Sequence, residues 1–167
     1  MSEDFLQAYE DHVERVYAYF AYRLRSHADA EDLTQLTFER ALQAWDRFDP
    51  ERAALNTWLI AIARNALTDH YRRRRHRTGP SISAGEVREA DLPSEAGPEA
   101  DLGMSPELVA ALGRLSRRER GLIALRFGAD LRGPEIAELL DMSVPNVHQV
   151  LSRALRKLRR ILDREDD

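Results

Sequence analysis

Residues 134–160 read PEIAELLDMSVPNVHQVLSRALRKLRR, which divides into a short apolar-patterned segment, a three-residue turn and a longer basic segment. Ala137 is small at a point where two helices must approach each other closely. Four apolar side chains recur at helical spacing and predict an inner seam between the two segments: Ile136, Leu140, Val147 and Leu151. This pattern is typical of a helix-turn-helix, whose second helix enters the major groove of DNA.

The second helix of this motif carries polar and basic side chains on the face opposite the seam. Asn and Gln can bond adenine through two hydrogen bonds, while Arg and Lys can bond guanine or neutralise phosphate. An ordinary helical hairpin with a solvated face is the alternative, but turn, seam and charge together favour DNA binding. The residues that we expect to contact DNA here are Ser143, Asn146, His148, Gln149, Ser152, Arg153, Arg156 and Lys157.

Two helix-start signals precede the motif. Ser105 followed by Pro106 is typical of an N-cap with proline at the first helical position. Ser116 and Glu119 have capping-box spacing and predict a second helix, which Gly128 is placed to end. The apolar residues that we expect this second helix to carry are Leu122, Ile123, Leu125 and Phe127.

The N-terminal part of the chain predicts two further helices. The first has one apolar stripe with steps of three or four residues, which indicates a core-facing helix: Phe5, Tyr9, Val13, Val16, Phe20 and Leu24. The second should begin at Ser26, which has capping-box spacing to Asp29, and run through Leu33, Phe38, Leu42 and Trp45. Residues 46–54, with Asp-Pro at 49 and 50, predict a loop.

A third helix is expected to begin near Asn56, a favourable N-cap type, and to continue into HYRRRRHR at residues 70–77. A basic run alone leaves a solvated tail and a nucleic-acid contact equally open. The aromatic rings of Trp58 and Tyr71 offer surfaces on which unpaired bases could stack, although the core is the favoured place for Trp58. The predicted buried side of this helix is Trp58, Leu59, Ile62, Ala66 and Leu67.

Residues 78–104 break the helical pattern. Seven of these 27 positions are Gly or Pro, and none is aromatic. Such a composition is typical of a flexible linker. No strand signal and no internal repeat is present. The sequence therefore predicts an all-α fold with two small helical domains, residues 1–77 and 105–167, joined by a flexible acidic linker.

The formal net charge of −4 hides an alternation along the chain. Residues 1–51 sum to −7 and residues 78–107 to −6, whereas residues 52–77 sum to +6 and residues 108–167 to +3. The basic blocks suit nucleic acid. Acidic side chains at residues 29–35 lie at the start of a predicted helix, where the helix dipole alone favours them. The alternative is that they form a docking face for a basic protein partner.

Several function classes are disfavoured by what the sequence lacks. The chain has no Cys, which excludes a disulfide framework and a thiolate metal site. No apolar run approaches the roughly 20 residues that span a bilayer, and the N-terminus is acidic, so we expect a cytoplasmic, nucleoid-associated protein without membrane insertion. His27 with Asp29 and Asp32, or His70 with Asp69, lacks helical metal-site spacing. We therefore predict no catalytic residue, no metal and no cofactor.

Three segments resemble one known family. AEDLTQLTF at 30–38 and TWLIAIARN at 57–65, running into Arg72–Arg75, resemble region two of the extracytoplasmic-function sigma factors, group 4 of the sigma-70 family. LSRRER at 115–120, EIAELL at 135–140 and LSRA at 151–154 resemble region four of the same family. The matches occur in the family's order and cover almost all of the chain outside the linker and the two tips.

This resemblance implies a transcription initiation factor without catalytic activity, with core RNA polymerase (the beta-prime clamp helices and the beta subunit) and promoter DNA as partners. An anti-sigma factor stays open as a further partner. The second helix would bind the polymerase through Asp29, Glu31, Asp32, Gln35, Leu36 and Glu39. The third helix and its preceding loop would melt and read the −10 element through Arg52, Asn56, Arg64, Asn65, Tyr71, Arg72 and Arg73. The last helix would read the −35 element through the DNA-contacting residues given above.

The recognition helix departs from the family pattern, and the linker has an expected role of its own. Pro145, Asn146 and Val150 depart from the family pattern at the recognition helix, so the promoter sequence does not transfer with the role. The acidic linker is expected to occupy a basic polymerase channel of the kind that later accommodates RNA.

A stand-alone DNA-binding regulator, with a sensing or dimerising first domain, is the alternative, but it leaves the acidic helix and the arginine run unexplained.

Overall fold

The computed structural model describes residues 2–78 and 104–166, and these residues form seven α-helices without a strand. Their bounds are α1 Glu3–Arg23, α2 His27–Gln43, α3 Leu55–Thr78, α4 Pro106–Leu112, α5 Arg117–Ile123, α6 Gly133–Leu140 and α7 Val144–Glu165. A short 3-10 helix spans Trp45–Arg47, and a π-helical turn spans Ala124–Gly128. The expected all-α fold is confirmed, whereas the predicted linker falls almost wholly on residues 79–103, which lie outside the described residues.

The first domain is a three-helix unit of α1, α2 and α3. Ser2 caps α1 by accepting a hydrogen bond from the Phe5 amide, and Ser26 caps α2 in the same way for Asp29. The core is built from side chains with essentially no solvent exposure: Val16, Phe20, Thr37, Leu59 and Ile60. Thr37 is tolerated there because its hydroxyl donates to the Leu33 carbonyl oxygen at 2.7 Å.

The second domain consists of α4 to α7, with α7 packed against the other three helices. Ser105 and Ser116 cap α4 and α5 as the sequence predicts, and Glu119 completes the capping box on Ser116. Asp141 ends α6 in the left-handed conformation at φ 54°, and Ser143 then caps α7. The predicted helix-turn-helix of α6 and α7 is present, with Ile136 and Val147 fully buried in its seam.

The two domains pack against each other, and their buried side chains form one continuous core. The π-helical turn of the second domain lies on α1, and α6 lies on α3. A Cβ atom at Gly128 would lie 3.0 Å from the backbone C and O of Ala18, so a larger residue would require this backbone to move. Ala129 and Leu131, which follow this turn, are fully buried.

Three side chains that the sequence places in the core are exposed. Leu155, whose spacing of four after Leu151 predicts a buried position, is 43% exposed. Ala154, seven residues after Val147, fits the helical repeat of the buried stripe better than a residue at position eight. Phe127 is 48% exposed because the wider π-helical turn changes the direction of its side chain. Tyr9 is 40% exposed and lies over the Phe38 ring at the edge of the first domain, with ring centroids 4.8 Å apart.

Several boundaries and core positions also differ from the expectation. The second helix ends at Gln43, and Trp45 lies in the 3-10 helix instead. The third helix begins at Leu55, so Asn56 lies inside it and its side chain reaches the second domain. Its fully buried residues include Ile60 and Ala63, which the predicted stripe omits, while Trp58 and Ile62 are only partly buried.

Glu119 ties α5 to α7, since its carboxylate caps α5 and lies 3.3 Å from Nζ of Lys157. Burial acts to raise the pKa of Glu119, but hydrogen bonds from Ser116 and the neighbouring Lys157 ammonium outweigh it and lower the pKa below its ordinary value. A carboxylate whose pKa is lower in the folded state than in the unfolded state stabilises the fold at pH values above its unfolded-state pKa. This stabilisation is lost as the pH falls through the folded-state pKa.

We therefore expect Glu119→Gln to lower the free energy of unfolding at neutral pH by about 1 kcal/mol, since one charged hydrogen-bond acceptor is lost. The difference from wild type should shrink as the pH is lowered from neutral through the folded-state pKa of Glu119, because the wild-type carboxyl then becomes protonated as well. Urea unfolding followed by circular dichroism across this pH range measures both effects. Exposed Glu138→Gln is the control, and an equal loss in both variants would contradict the assigned role of Glu119.

Candidate nucleic-acid and protein interfaces

The start of α7 presents a polar surface to solvent. Ser143 accepts a hydrogen bond from the Asn146 amide at 3.2 Å, which fixes the first turn of the helix. Beyond it, the exposed members of the predicted set are His148, Gln149, Ser152, Arg153 and Arg156. Apart from His148, whose ring contacts the start of α6, these side chains lie on the solvent-exposed face of α7, where a DNA groove would be met.

Two members of this set are partly engaged within the domain. The His148 ring lies against Gly133 at the start of α6, where an added Cβ would come 2.5 Å from Nε2. Lys157 pairs with Glu119 and is only partly exposed, so its ammonium joins α5 to α7. The structure therefore gives Lys157 a stabilising role that the sequence prediction, which assigned it to DNA, did not contain.

The predicted −10 residues divide into two groups. Arg52, Asn65, Arg72 and Arg73 are exposed to solvent. The side chains of Asn56 and Arg64 instead face the second domain, where they donate hydrogen bonds to the carbonyl oxygens of Ala129 and Leu139 at 2.8 and 3.3 Å.

Tyr71 is 5% exposed, and its hydroxyl donates to the Arg23 carbonyl oxygen at 3.4 Å. Only this small fraction of its surface reaches solvent, so its ring is part of the core. In this arrangement Tyr71 therefore offers no open ring face, and its role as a stacking surface for a base stays a prediction. The helical repeat contains the reason, because Tyr71 lies four residues after buried Leu67 on the same face of α3.

An aromatic cluster supports the loop that precedes α3. The rings of Phe48 and Trp58 have centroids 5.0 Å apart, and Trp45 lies 6.1 Å from Trp58 and 5.9 Å from Phe48. The cluster joins residues on both sides of the loop that carries Arg52. Sequence reasoning assigned Trp45 and Trp58 singly and did not use Phe48, although their flanking positions around a polar loop were a usable signal.

A basic cleft separates α3 from α5 beside the contact between the domains. It encloses about 930 Å³ and has no acidic side chain among its lining residues. The guanidinium groups that line it come from Arg23, Arg64, Arg72, Arg75, Arg117 and Arg118. The arginine run of α3 thus continues onto the second domain as one electropositive surface, which suits a polyanion.

The acidic residues of α2 lie on a different side of the first domain. Glu31, Asp32, Gln35 and Glu39 are exposed, and Leu36 is partly buried between them and the core. Asp29 differs, because its carboxylate faces α3 and lies 3.7 Å from Nε2 of His70 and 3.9 Å from the Arg74 guanidinium. Of the six predicted residues, Asp29 is therefore paired with another helix, while Glu31 pairs with His27 at 2.9 Å within α2.

Beside these acids, an apolar groove of about 700 Å³ runs between α1 and α2. Its exposed apolar residues are Leu6, Tyr9 and Leu42, which sequence reasoning missed as a surface. Carboxylates of Glu14, Glu31 and Glu39 line the same groove. An apolar floor with an acidic rim suits a helical partner that carries both apolar and basic side chains.

The described residues were also compared with the excluded function classes. Within 2–78 and 104–166, no helix has the length and apolar character needed to cross a bilayer. Among the same residues, no three His, Asp or Glu side chains converge as metal ligands would.

Comparison with known families gives two matches. The family model for sigma-70 region 2 matches residues 8–77, and the model for sigma-70 region 4 matches residues 111–160. Together they cover more than half of the chain. A stand-alone regulator does not account for the first match.

Curated relatives agree with these models. The chain is 32% identical over 96% of its length to the ECF RNA polymerase sigma factor BldN of Streptomyces coelicolor, of whose length it spans 61%. It is 33% identical to the RNA polymerase sigma factor CnrH of Cupriavidus metallidurans, with 83% of this chain and 76% of CnrH covered. The ECF RNA polymerase sigma factor SigX of Bacillus subtilis is 28% identical, with 98% and 86% covered.

Solved structures show the same fold. The sigma factor RpoE of Bartonella quintana, in complex with the anti-sigma factor NepR, matches with a TM-score of 0.74 at 23% identity, covering 97% of this chain and 98% of RpoE. CnrH in complex with the cytosolic domain of CnrY matches with a TM-score of 0.67 at 29% identity, covering 95% and 87%. With both regions matched in order, the chain belongs to the sigma-70 family and is an extracytoplasmic-function (ECF) sigma factor.

Proposed function

We propose that this sigma factor directs promoter-specific initiation as a non-catalytic adaptor in the cytoplasm, with residues 1–77 and 105–167 as separate functional domains. The first domain binds core polymerase and the −10 element, and the second binds the −35 element. The observation that carries this proposal is the presence on one chain of an exposed recognition helix, α7, and an apolar groove with an acidic rim on α1 and α2.

Core polymerase is the partner proposed for the groove. Its apolar floor offers Leu6, Tyr9 and Leu42, which supply the water-excluding contact that an acidic face alone lacks. The rim acids steer a basic partner and fix its register. Asp32, Gln35 and Leu36 continue this surface along α2, so a beta-prime clamp helix packed along the groove would meet apolar and acidic side chains in succession. The beta subunit is the partner proposed for the second domain.

Promoter melting is assigned to α3 and the loop before it. The aromatic cluster holds the loop with Arg52 against the start of α3, so the loop is positioned before DNA arrives. Asn65 and Arg72 are exposed on α3 and continue that surface. A melted strand needs basic groups for its phosphates and a rigid support for an extracted base, and this region supplies both. Asn56 and Arg64 join it when the second domain is not in contact.

An anti-sigma factor is a further proposed partner. CnrH, the relative that is 33% identical, has been solved with the cytosolic domain of CnrY. The exposed apolar groove of the present chain is a surface that such an inhibitor could cover in place of polymerase. Both partners would then compete for the same contacts.

The proposal is tested by run-off transcription with core polymerase over a fragmented genomic library. We expect transcripts whose start sites share two conserved promoter elements, and only when this chain is added. The control is core polymerase alone, which initiates without promoter specificity. Transcripts that map at random in the presence of the chain would contradict the proposed function.

The acidic face predicts a selective loss of polymerase binding. Asp32→Ala with Gln35→Ala should weaken the affinity for core polymerase about tenfold, equivalent to about 1.4 kcal/mol, because a basic partner loses its counterpart. Gln7→Ala with Asp11→Ala is the matched control, since it removes the same residue types from an exposed hydrogen-bonded pair outside the groove. Fluorescence anisotropy with labelled protein measures both, and an equal affinity for the two double variants would remove the assignment.

The recognition helix predicts two kinds of loss. Gln149→Ala removes a base contact, which should cost about 1–3 kcal/mol and relax specificity at one position of the −35 element. Arg156→Ala removes a phosphate contact and should weaken all promoter variants alike. A selection over promoter variants measures both, with exposed Arg159→Ala as the control for loss of one positive charge from α7. Exchanged outcomes for Gln149 and Arg156 would reverse their roles.

A further inference from the structure

The first residue of α6 lies in contact with a side chain of the recognition helix. Gly133 is buried, and a Cβ atom added to it would lie 2.5 Å from Nε2 and 3.2 Å from Cδ2 of the His148 ring. The imidazole therefore occupies space that the side chain of any residue other than glycine would fill. The ring can lie against α6 only because position 133 has no side chain.

The helix-turn-helix holds α6 and α7 at a fixed separation around this contact. Ile136 in α6 and Val147 in α7 are fully buried in the seam between the two helices. Ser143, in the turn between them, caps α7 and fixes its first residues. A closely packed seam yields less readily than the end of an exposed side chain. A methyl group at position 133 would therefore displace the His148 ring and leave the two helices in place.

The displaced ring would enter the surface that is proposed to read the −35 element. His148 is exposed, and together with Gln149 and Ser152 it lines a shallow polar hollow at the start of α7. A side chain that leaves one staggered rotamer moves to another, and for an exposed residue the open direction is solvent. A neutral imidazole has one hydrogen-bond donor and one acceptor, and base edges in the major groove can pair with both. Once released from α6, the ring would add a base contact beside that of Gln149.

We propose that Gly133 is a specificity-determining residue of the −35 surface, although it has no side chain with which to contact DNA. By leaving room for the imidazole, it keeps His148 beside the start of α6. The first helix of a helix-turn-helix crosses the DNA backbone, so a ring held there meets phosphate and sugar instead of base edges. Base reading is thereby left to Asn146 and Gln149. This role of Gly133 rests on the proposed −35 function of α7.

A double-mutant cycle on the complete chain tests this role. Four chains are compared: wild type, Gly133→Ala, His148→Ala and the double variant. Each is assembled with core polymerase and used for run-off transcription on a promoter from the genomic library whose −35 element has been randomised, and barcoded transcripts are sequenced. Gly121→Ala is the matched control, since it adds the same methyl group to α5, where the Cβ meets only the end of the Arg23 side chain.

We expect Gly133→Ala to change the preference at one base pair of the −35 element about fivefold or more, which corresponds to one added base contact. His148→Ala should weaken transcription from all −35 variants alike, because a backbone contact carries no sequence information. The double variant should keep the wild-type base preference, since the ring that causes the change is absent. Gly121→Ala should leave the preference unchanged.

Two outcomes of the cycle would overturn the role of Gly133. One is an unchanged base preference in Gly133→Ala. The other is an equal change with and without the His148 ring, which would show that the methyl group acts through α6 itself. A wild-type chain that transcribed all −35 variants equally would contradict the proposed function, and the role of Gly133 would fail with it.

The position of the ring can also be measured without DNA or polymerase. In the wild-type chain, the ring protons of His148 should give nuclear Overhauser effects to the Hα protons of Gly133, because the ring lies against this residue. These effects report on the contact whether or not the substituted chains fold. Their absence in the wild-type chain would overturn the inference while leaving the proposed function intact.

Discussion

The close approach of the π-helical turn to α1 determines where the second domain lies. Gly128 touches the backbone of Ala18, and the following residues Ala129 and Leu131 are buried in the same contact. From this point the chain enters α6, so the position of the turn sets the distance between α6 and α3. The hydrogen bonds of Asn56, Thr57 and Arg64 to the second domain depend on that distance. A residue larger than glycine at position 128 would disturb all three.

Charge divides the described surface into an acidic region and a basic region. The net charge of −4 averages an acidic groove on α1 and α2 with a basic cleft between α3 and α5. Asp29 separates the two, since it pairs with His70 and Arg74 and so holds the start of α2 against the basic helix. Glu135 has a related position: burial acts to raise its pKa, but hydrogen bonds from Arg132 and Thr57 lower it below the ordinary value. It therefore stays ionised where it contacts α3.

Local signals in the sequence predicted most of the helices. Ser105, Ser116 and Ser143 each precede a helix and cap it, because their hydroxyls satisfy amides that have no partner inside the helix. The seam of α6 and α7 follows from spacing alone. The exposed set on α7 was also predictable, apart from Lys157, whose pairing with Glu119 joins residues 38 positions apart.

The contact between the domains could not be predicted from local sequence signals. The π-helical turn is closed by hydrogen bonds such as that from the Ala129 amide to the Ala124 carbonyl oxygen at 2.9 Å, and no residue type marks it in advance. Asn56 resembled an N-cap, but its amide bonds a residue 73 positions away. Tyr71 resembled a stacking surface because a basic run surrounds it, whereas its helical face packs on α1 and its hydroxyl bonds the Arg23 carbonyl oxygen. Tertiary packing decided each of these positions.

The placement of the two kinds of surface implies an order of events. The groove lined by Phe5, Leu6, Tyr9 and Leu42 includes no residue of the second domain, so the proposed polymerase surface stays uncovered while the domains are in contact. The −10 surface is partly covered in that state, because Asn56 and Arg64 bond the second domain. A ligand shifts an equilibrium only by its difference in affinity for the two states. Under the proposed function, polymerase that held the domains apart would supply this difference, whereas DNA alone would first have to break the contact. Promoter reading would then follow polymerase binding, and the free chain would occupy few promoters.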